Sequence, residues 1–247
     1  MKAVPMQPKP SNADPLSSKA FQRLTAFKAS VFDLDGTLVH SEHVWEEAKL
    51  TVLASYGITP TKAVLNAHVG RGLSDFLDEV FSRPLSSDEK TEIGNRIGAR
   101  ADVLLPEMRV PVKGAADLLK DLHQAGQRVA ICSSSPRRHI VSAMDALGIT
   151  EIIETIVSGS ELPKGKPHPL PYLTTVQALD LAPQDVCAFE DSFPGAKSAH
   201  AAGLTVFAIG EGCSGSAFSF CAGAAETFSD FLLHQGSVTE NSASASD

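Results

Sequence analysis

Apolar positions along the chain fall into two rhythms. Short apolar runs bounded by turn residues, KASVFDL from residue 28, RVAIC from 128, DVCAFE from 185 and LTVFAI from 204, read as buried strands, with a shorter one at Thr155–Ser158. Between them, apolar residues recur every three or four positions around Ala115–Gln124, Arg137–Leu147, Leu170–Leu179 and Gly195–Ala202, which predicts helices, the last stopped by Gly203. The interval after the first strand contains no strand-like run. Its segments SEHVWEEAKLTVLASYGI, GLSDFLDEVF and SSDEKTEIGNRIGARADVLL form a helical insert, with Val44, Ala48, Val52 and Tyr56, or Ile93, Ile97, Ala101 and Leu104, at helical spacing. Repeated strand–helix–strand units imply an α/β fold, a doubly wound parallel sheet with a smaller all-helical domain inserted after its first strand. Ligands of such sheets bind beyond the carboxyl ends of the strands.

The expected organisation is an unstructured extension over 1–26, an α/β core over 27–39 and 111–233, a helical insert over 40–110 and a disordered Ser-rich tail over 234–247. The N-terminal stretch has no apolar core of the kind a secretory signal needs. It is acid-poor, as a transit peptide is, but its prolines and lack of arginine through residue 20 favour a floppy extension. A net charge of −8 argues against nucleic acid as a partner, and no apolar stretch approaches the roughly 20 residues of a membrane helix. The four cysteines show no paired spacing. Cys132 and Cys187 lie inside apolar runs and read as buried, reduced thiols of a cytoplasmic protein.

Polar residues crowd at the predicted strand ends. The first strand closes in Asp33-Leu34-Asp35-Gly36-Thr37, the second in Ser133-Ser134-Ser135 and the fourth in Glu190-Asp191-Ser192, while Lys166 sits in KGKPHP ahead of a helix. Each has a plain structural alternative: DxDG as a turn, SSSP as a helix N-cap followed by proline, and Glu190-Asp191 as a cap before SFPG. Their common position at one sheet edge favours a site. Residues i and i+2 of a strand share a face, so Asp33 and Asp35 address the same ligand.

FDLDGT, the Ser133 turn, Lys166 of GKPHP and Glu190-Asp191 in FEDSFPGAKSAHAAG resemble the four ordered motifs of the haloacid dehalogenase superfamily, from about Phe27 to Ile209. The insert resembles that superfamily's type-one cap. SEHVWEEAKLTVLASYGI and SELPKGKPHPLPYL are further similar to segments of bacterial enzymes that dephosphorylate hexitol phosphates and 2-deoxyglucose 6-phosphate, relatives of beta-phosphoglucomutase. The resemblance implies Asp33 as nucleophile, forming an aspartyl-phosphate, and Asp35 as general acid and then base. It implies Mg²⁺ held by an Asp33 oxygen, the Asp35 backbone carbonyl and Asp191, with Glu190 as a ligand or close neighbour. Thr37, Ser133, Ser134 and Lys166 are expected around the phosphate. The superfamily's dehalogenases lack an acid at the second aspartate, so Asp35 favours a phosphatase.

The cap sets the substrate. Arg71, between Gly70 and Gly72, lies where capped relatives keep a substrate loop, and His40 stands where many relatives have aspartate. Lys113-Gly114 likewise replaces the usual Pro-Gly. Lys49, Glu79 and Glu92 read as a solvated helix face. The expected ligand is a small-molecule phosphate ester, and the expected state a monomer or weak homodimer. A phosphomutase of the beta-phosphoglucomutase type is the alternative. It needs cap cations for a second phosphate, and Leu73 and Ser74, at the corresponding positions, are not basic. A catalytically silent binding protein is a third reading, and a receiver domain, which has neither cap nor DxDGT, a remote fourth.

Overall fold

The computed structural model describes residues 23–68 and 73–230. In chain order its helices and strands are β1 (Ala29–Phe32), β2 (Val39–His40), α1 (Glu42–Ala54), α2 (Lys62–Ala67), α3 (Leu73–Val80), α4 (Ser87–Met108), β3 (Val110–Pro111), α5 (Ala115–Gln124), β4 (Arg128–Ser133), α6 (Arg137–Leu147), β5 (Ile153–Ser158), α7 (Leu170–Ala178), β6 (Val186–Glu190), α8 (Phe193–Ala201), β7 (Thr205–Ile209) and β8 (Gly223–Ala225).

Six strands form one parallel sheet in the order β5-β4-β1-β6-β7-β8. The chain winds outward from β1 in both directions, so the switch point lies beside β1. All four β1 residues are buried, as expected of a strand covered on both faces. Alternate residues serve opposite faces: Phe32 packs with Leu118, Leu122 and Ile140 of α5 and α6, while Ala29 and Val31 pack with Tyr172, Val176 and Ala196 of α7 and α8. Phe32 stacks on Phe189 with ring centroids 4.6 Å apart, and Phe189 stacks on Phe207, which makes a rigid apolar floor beneath the carboxyl ends of β1, β6 and β7.

The insert has its own core of Val44, Ala48, Leu53, Phe76, Leu77, Ile93, Ile97 and Leu105. α4 opens with a reciprocal capping box between Ser86 and Glu89, which fixes where this long helix starts. A two-residue antiparallel ribbon, β2 with β3, joins the insert to the sheet domain.

Several local expectations shift. Residues 23–26 belong to the folded body: Leu24 is fully buried and its carbonyl accepts a hydrogen bond from Gln127 Nε2. α1 ends at Ala54, so Tyr56 lies beyond it, partly exposed, with its ring edge on Phe81 and its hydroxyl held by Arg96. Leu105, rather than Leu104, is the fully buried residue near the end of α4. α2 and β8 are additional elements, too short to give a periodic signal.

Candidate active site

The first motif is shaped by Gly36. Asp33 N–H continues the sheet ladder by donating to Phe189 O at 3.0 Å. The chain then turns back, with Leu38 N–H donating to Leu34 O and Gly36 N–H to Val39 O. Gly36 has φ +90°, and a Cβ there would lie 1.9 Å from Asp191 Oδ2 and 2.4 Å from Glu42 Oε1. Only glycine satisfies both the backbone angle and the approach of these two carboxylates.

Lys166 ties three strand ends together. Its Nζ donates to Asp33 Oδ1 at 2.5 Å, Glu190 Oε1 at 2.6 Å and Cys132 O at 2.8 Å, and the residue is only 3% exposed. Tyr172 OH also donates to Glu190 Oε1, at 2.6 Å, and Ser192 OH to Glu190 Oε2 at 3.3 Å. Glu190 is therefore the fully buried counter-charge of Lys166 as well as a neighbour of Asp191. Thr37, expected near the phosphate, directs its hydroxyl to Asp191 Oδ1 at 3.3 Å.

One ammonium faces three carboxylates. Burial, reinforced by Glu190 and Asp35, pushes the Asp33 carboxyl up to about 8 despite the pull of Lys166. Burial, with Asp33, Glu190 and Glu42 nearby, raises Asp191 well above the usual carboxylate range. Burial alone would lower Lys166, but Asp33 and Glu190 outweigh it and hold the ammonium charged. Oxygens of Asp33, Glu190 and Asp191 all lie within 4.8 Å of one another. A cluster of hard oxygen donors with excess negative charge fits a small divalent cation such as Mg²⁺, which would reverse the upward shifts.

Asp35 points elsewhere. Its Oδ1 accepts from Ser41 Oγ in a very short contact and from Trp45 Nε1 at 3.2 Å, and its Oδ2 from Ser135 Oγ at 2.6 Å and Ser133 Oγ at 3.4 Å. The serine turn is thus not a helix cap but a pair of donors to Asp35. Pro136 occupies the N-cap position of α6 with no side-chain cap bond, while Ser133 Oγ accepts Ser135 N–H and Ser134, half-buried, follows at the strand end. Of the two cap-like alternatives, only the one before α8 is realised, and its cap is Ser192 rather than Glu190 or Asp191.

A cavity of about 410 Å³ is lined by insert residues His40, Glu42, His43, Glu46, Lys49, Lys62, Leu65 and Asn66, and its Lys49 lies near enough to Asp35 to feel its charge. His40 therefore lines the cleft. Lys49 does not belong to a solvated face: it is partly buried, with Nζ 4.8 Å from the Phe76 ring centroid, and burial lowers its pKa against the opposing effects of Glu46 and Asp35. Arg71 lies outside the described residues. Ser41, Glu42 and Tyr172 complete the site without having stood out as site candidates, together with Trp45 and with Ser135 of the serine turn. The position of Ser135 at a strand end, with the Ser133–Ser135 spacing repeating that of Asp33–Asp35, is the signal that points to it.

A model of the haloacid dehalogenase-like hydrolase family matches residues 27–203. The chain is 32% identical to validoxylamine A 7'-phosphate phosphatase of Streptomyces hygroscopicus subsp. limoneus, over 74% of this chain and 85% of that protein. It is 30% identical to hexitol phosphatase B of Escherichia coli K12, over 70% of this chain and 79% of that one. Among solved structures, beta-phosphoglucomutase from Clostridium difficile superposes with a TM-score of 0.76 at 19% identity, covering 84% of this chain and 94% of that one, a likeness of fold.

Proposed function

Because the chain belongs to the haloacid dehalogenase-like hydrolase family and is a phosphoric monoester hydrolase, we propose that it hydrolyses small sugar or polyol phosphates with a bound Mg²⁺. The observation that supports this reading most is the unlike surroundings of the two aspartates. Asp33 lies among Lys166, Glu190 and Asp191, whereas Asp35 lies in a cradle of three hydroxyls and an indole N–H. Two carboxylates in different environments take different roles.

Asp33 is the nucleophile. Lys166 fixes its Oδ1 and places positive charge beside the incoming phosphoryl group. Attack on phosphorus forms the Asp33 aspartyl-phosphate and breaks the bond to the ester oxygen, which takes a proton from Asp35. Asp35, now a carboxylate, removes a proton from the water that cleaves the acyl phosphate, and the cycle ends with inorganic phosphate. Asp33, Asp191 and the Asp35 backbone carbonyl would hold Mg²⁺, with Glu190 behind them. The ion supplies charge neutralisation at the phosphoryl oxygens. Thr37 keeps Asp191 oriented, and Ser133 and Ser134 lie where the phosphate enters. His40 and the insert cavity receive the hydroxyl-bearing part of the substrate, and Arg71 is assigned to substrate recognition by its motif alone. Closure of the cap excludes water from the first half-reaction.

The test is phosphate release across a panel of sugar and polyol phosphates, by the wild type and by Asp33→Asn. A turnover that survives Asp33→Asn, or that needs no divalent ion, refutes the reading.

A further inference from the structure

We propose that His139 and Trp45 are positioning residues that couple closure of the helical cap to the placement of Asp35, an inference that rests on the acid–base role given to Asp35 above. The contact begins at the domain seam. Asp102, on α4 of the cap, accepts from His139 Nε2 in a short hydrogen bond at Oδ1, and from Arg138 Nε at 3.1 and 3.0 Å on its two oxygens. His139 and Arg138 belong to α6 of the core, directly behind the serine turn. Arg138 lies flat across the cap helix: a Cβ on Gly98 would meet its Nη2 at 2.5 Å.

His139 is the buried half of this clasp. Its Nδ1 is buried and has no hydrogen-bond partner among the described residues. A proton there would be stranded, so the ring is assigned as the neutral tautomer that donates from Nε2 to Asp102. One face of the ring meets the Trp45 indole, with centroids 4.9 Å apart at 52°. The indole N–H is thereby aimed at Asp35 Oδ1. Trp45 N–H donates to Ser41 O within the first turn of α1, so Ser41 and Trp45 present their donors from one face of the helix.

Asp35 is consequently held from two sides. The cap side supplies both donors to Oδ1, and the core turn supplies both donors to Oδ2. A cap that opens at the Asp102–His139 contact frees the indole that orients the acid. Protonation of the leaving group then occurs in the closed state, where bulk water is excluded.

Trp45→Phe keeps the ring against His139 and deletes only the N–H. Loss of one hydrogen bond to a carboxylate is expected to lower kcat on a hexitol phosphate roughly 10- to 100-fold. The effect on p-nitrophenyl phosphate should be under about threefold, because that leaving group needs little protonation. Asp102→Ala, at a half-exposed position that leaves both cores intact, should show the same ester difference more weakly, with KM raised as well. Equal losses on the two esters, or no loss in Trp45→Phe, overturn the coupling. Asp35→Asn, read in the single-turnover release of the alcohol so that hydrolysis of the shared aspartyl-phosphate does not enter, separates the two levels: if it shows no ester difference there, the acid role itself fails and this inference with it. If Asp35→Asn shows the difference and Trp45→Phe does not, only the positioning role fails.

Discussion

Replacing Lys166 with methionine isolates the electrostatics that hold the site together. The substitution keeps an unbranched chain of similar length and removes the ammonium that lies 2.5 Å from Asp33 and 2.6 Å from Glu190. Glu190 is fully buried and Asp33 is 7% exposed, so neither carboxylate gains water in exchange. Removing one partner of a buried ion pair costs about 3–5 kcal/mol, mostly the penalty of the charge left behind. For a domain of this size that corresponds to a fall in Tm of roughly 6–20 °C. The assay is thermal denaturation of wild type and variant at pH 7 in excess chelator, so that no cation substitutes for the lysine. Adding Glu190→Gln to Lys166→Met removes one stranded charge while keeping a carbonyl oxygen for Tyr172 OH, and should recover part of the loss. A single variant melting within about 2 °C of wild type, or a double variant melting lower still, would refute the reasoning, because Lys166 would then not be compensating buried charge.

Metal removal should make stability depend on pH in a defined direction. The folded-state pKa of Asp33, about 8, lies above its ordinary value of 3.8, so its contribution is present below about pH 4 and lost as pH rises toward 8. Melting curves in chelator should show that decline, and Mg²⁺ should raise Tm most at pH 8. In Asp33→Asn the Asp33 part of the decline should be missing; an unchanged slope in that variant contradicts the assignment. Gly195→Ala should lower both Tm and activity, since its Cβ would fall 2.0–2.2 Å from the buried Glu190 carboxyl atoms; normal melting would mean that Glu190 moves freely. Asp191→Ala should abolish turnover and weaken Mg²⁺ binding measured by calorimetry. Phosphorus NMR of hexose 1-phosphate with enzyme, Mg²⁺ and a trace of hexose bisphosphate should show free phosphate growing faster than hexose 6-phosphate, and the opposite order would establish a mutase.

The parts of this protein that were legible in its sequence share one property: they sit where a buried strand ends. Along β1, β4 and β6 a largely apolar run gives way within a residue or two to Asp33, Ser133 and Glu190, and that switch is visible in one dimension. The sheet then converts sequence position into spatial convergence, because parallel strands deliver all their carboxyl ends to one edge. Lys166 was legible for a related reason, as a cation held between Gly165 and Pro167 just ahead of a helix, although Lys164 stands two residues before it. The donors around Asp35 were not legible in the same way. Nothing in the sequence ties Trp45 to Asp35, and Tyr172 looks like any aromatic of an amphipathic helix. Their hydroxyl and indole groups acquire partners only through contacts across the domain seam or between layers. Leu24 was lost in the same manner: a short apolar stretch ahead of β1 is too brief to show a period, yet Leu24 is fully buried in the core of the sheet.

The insert shows why charge counted along a sequence misjudges a cavity. Read linearly, the cap lacks a basic residue at Leu73 or Ser74 and carries more acid than base, which argues against a second phosphate site. The folded cap does bring two lysines into the cleft, Lys49 and Lys62, so the absence of cations is not the reason. Their surroundings supply a better one. Lys62 Nζ is engaged by Glu46 at 2.5 Å, and Lys49 faces the charges of Glu46 and Asp35. Glu42 lines the same cleft and also approaches Asp191 at Gly36. A phosphate dianion entering there would have to displace Glu46 from its lysine and lie beside Glu42, whereas a sugar or polyol chain offers hydroxyls that donate to these carboxylates and accept from the lysines and Asn66. On the proposed function, the carboxylates that would repel a second phosphate form, with the lysines they face, a hydrogen-bonding wall for a neutral leaving group, and the cleft would discriminate by charge state rather than by the number of basic residues it contains.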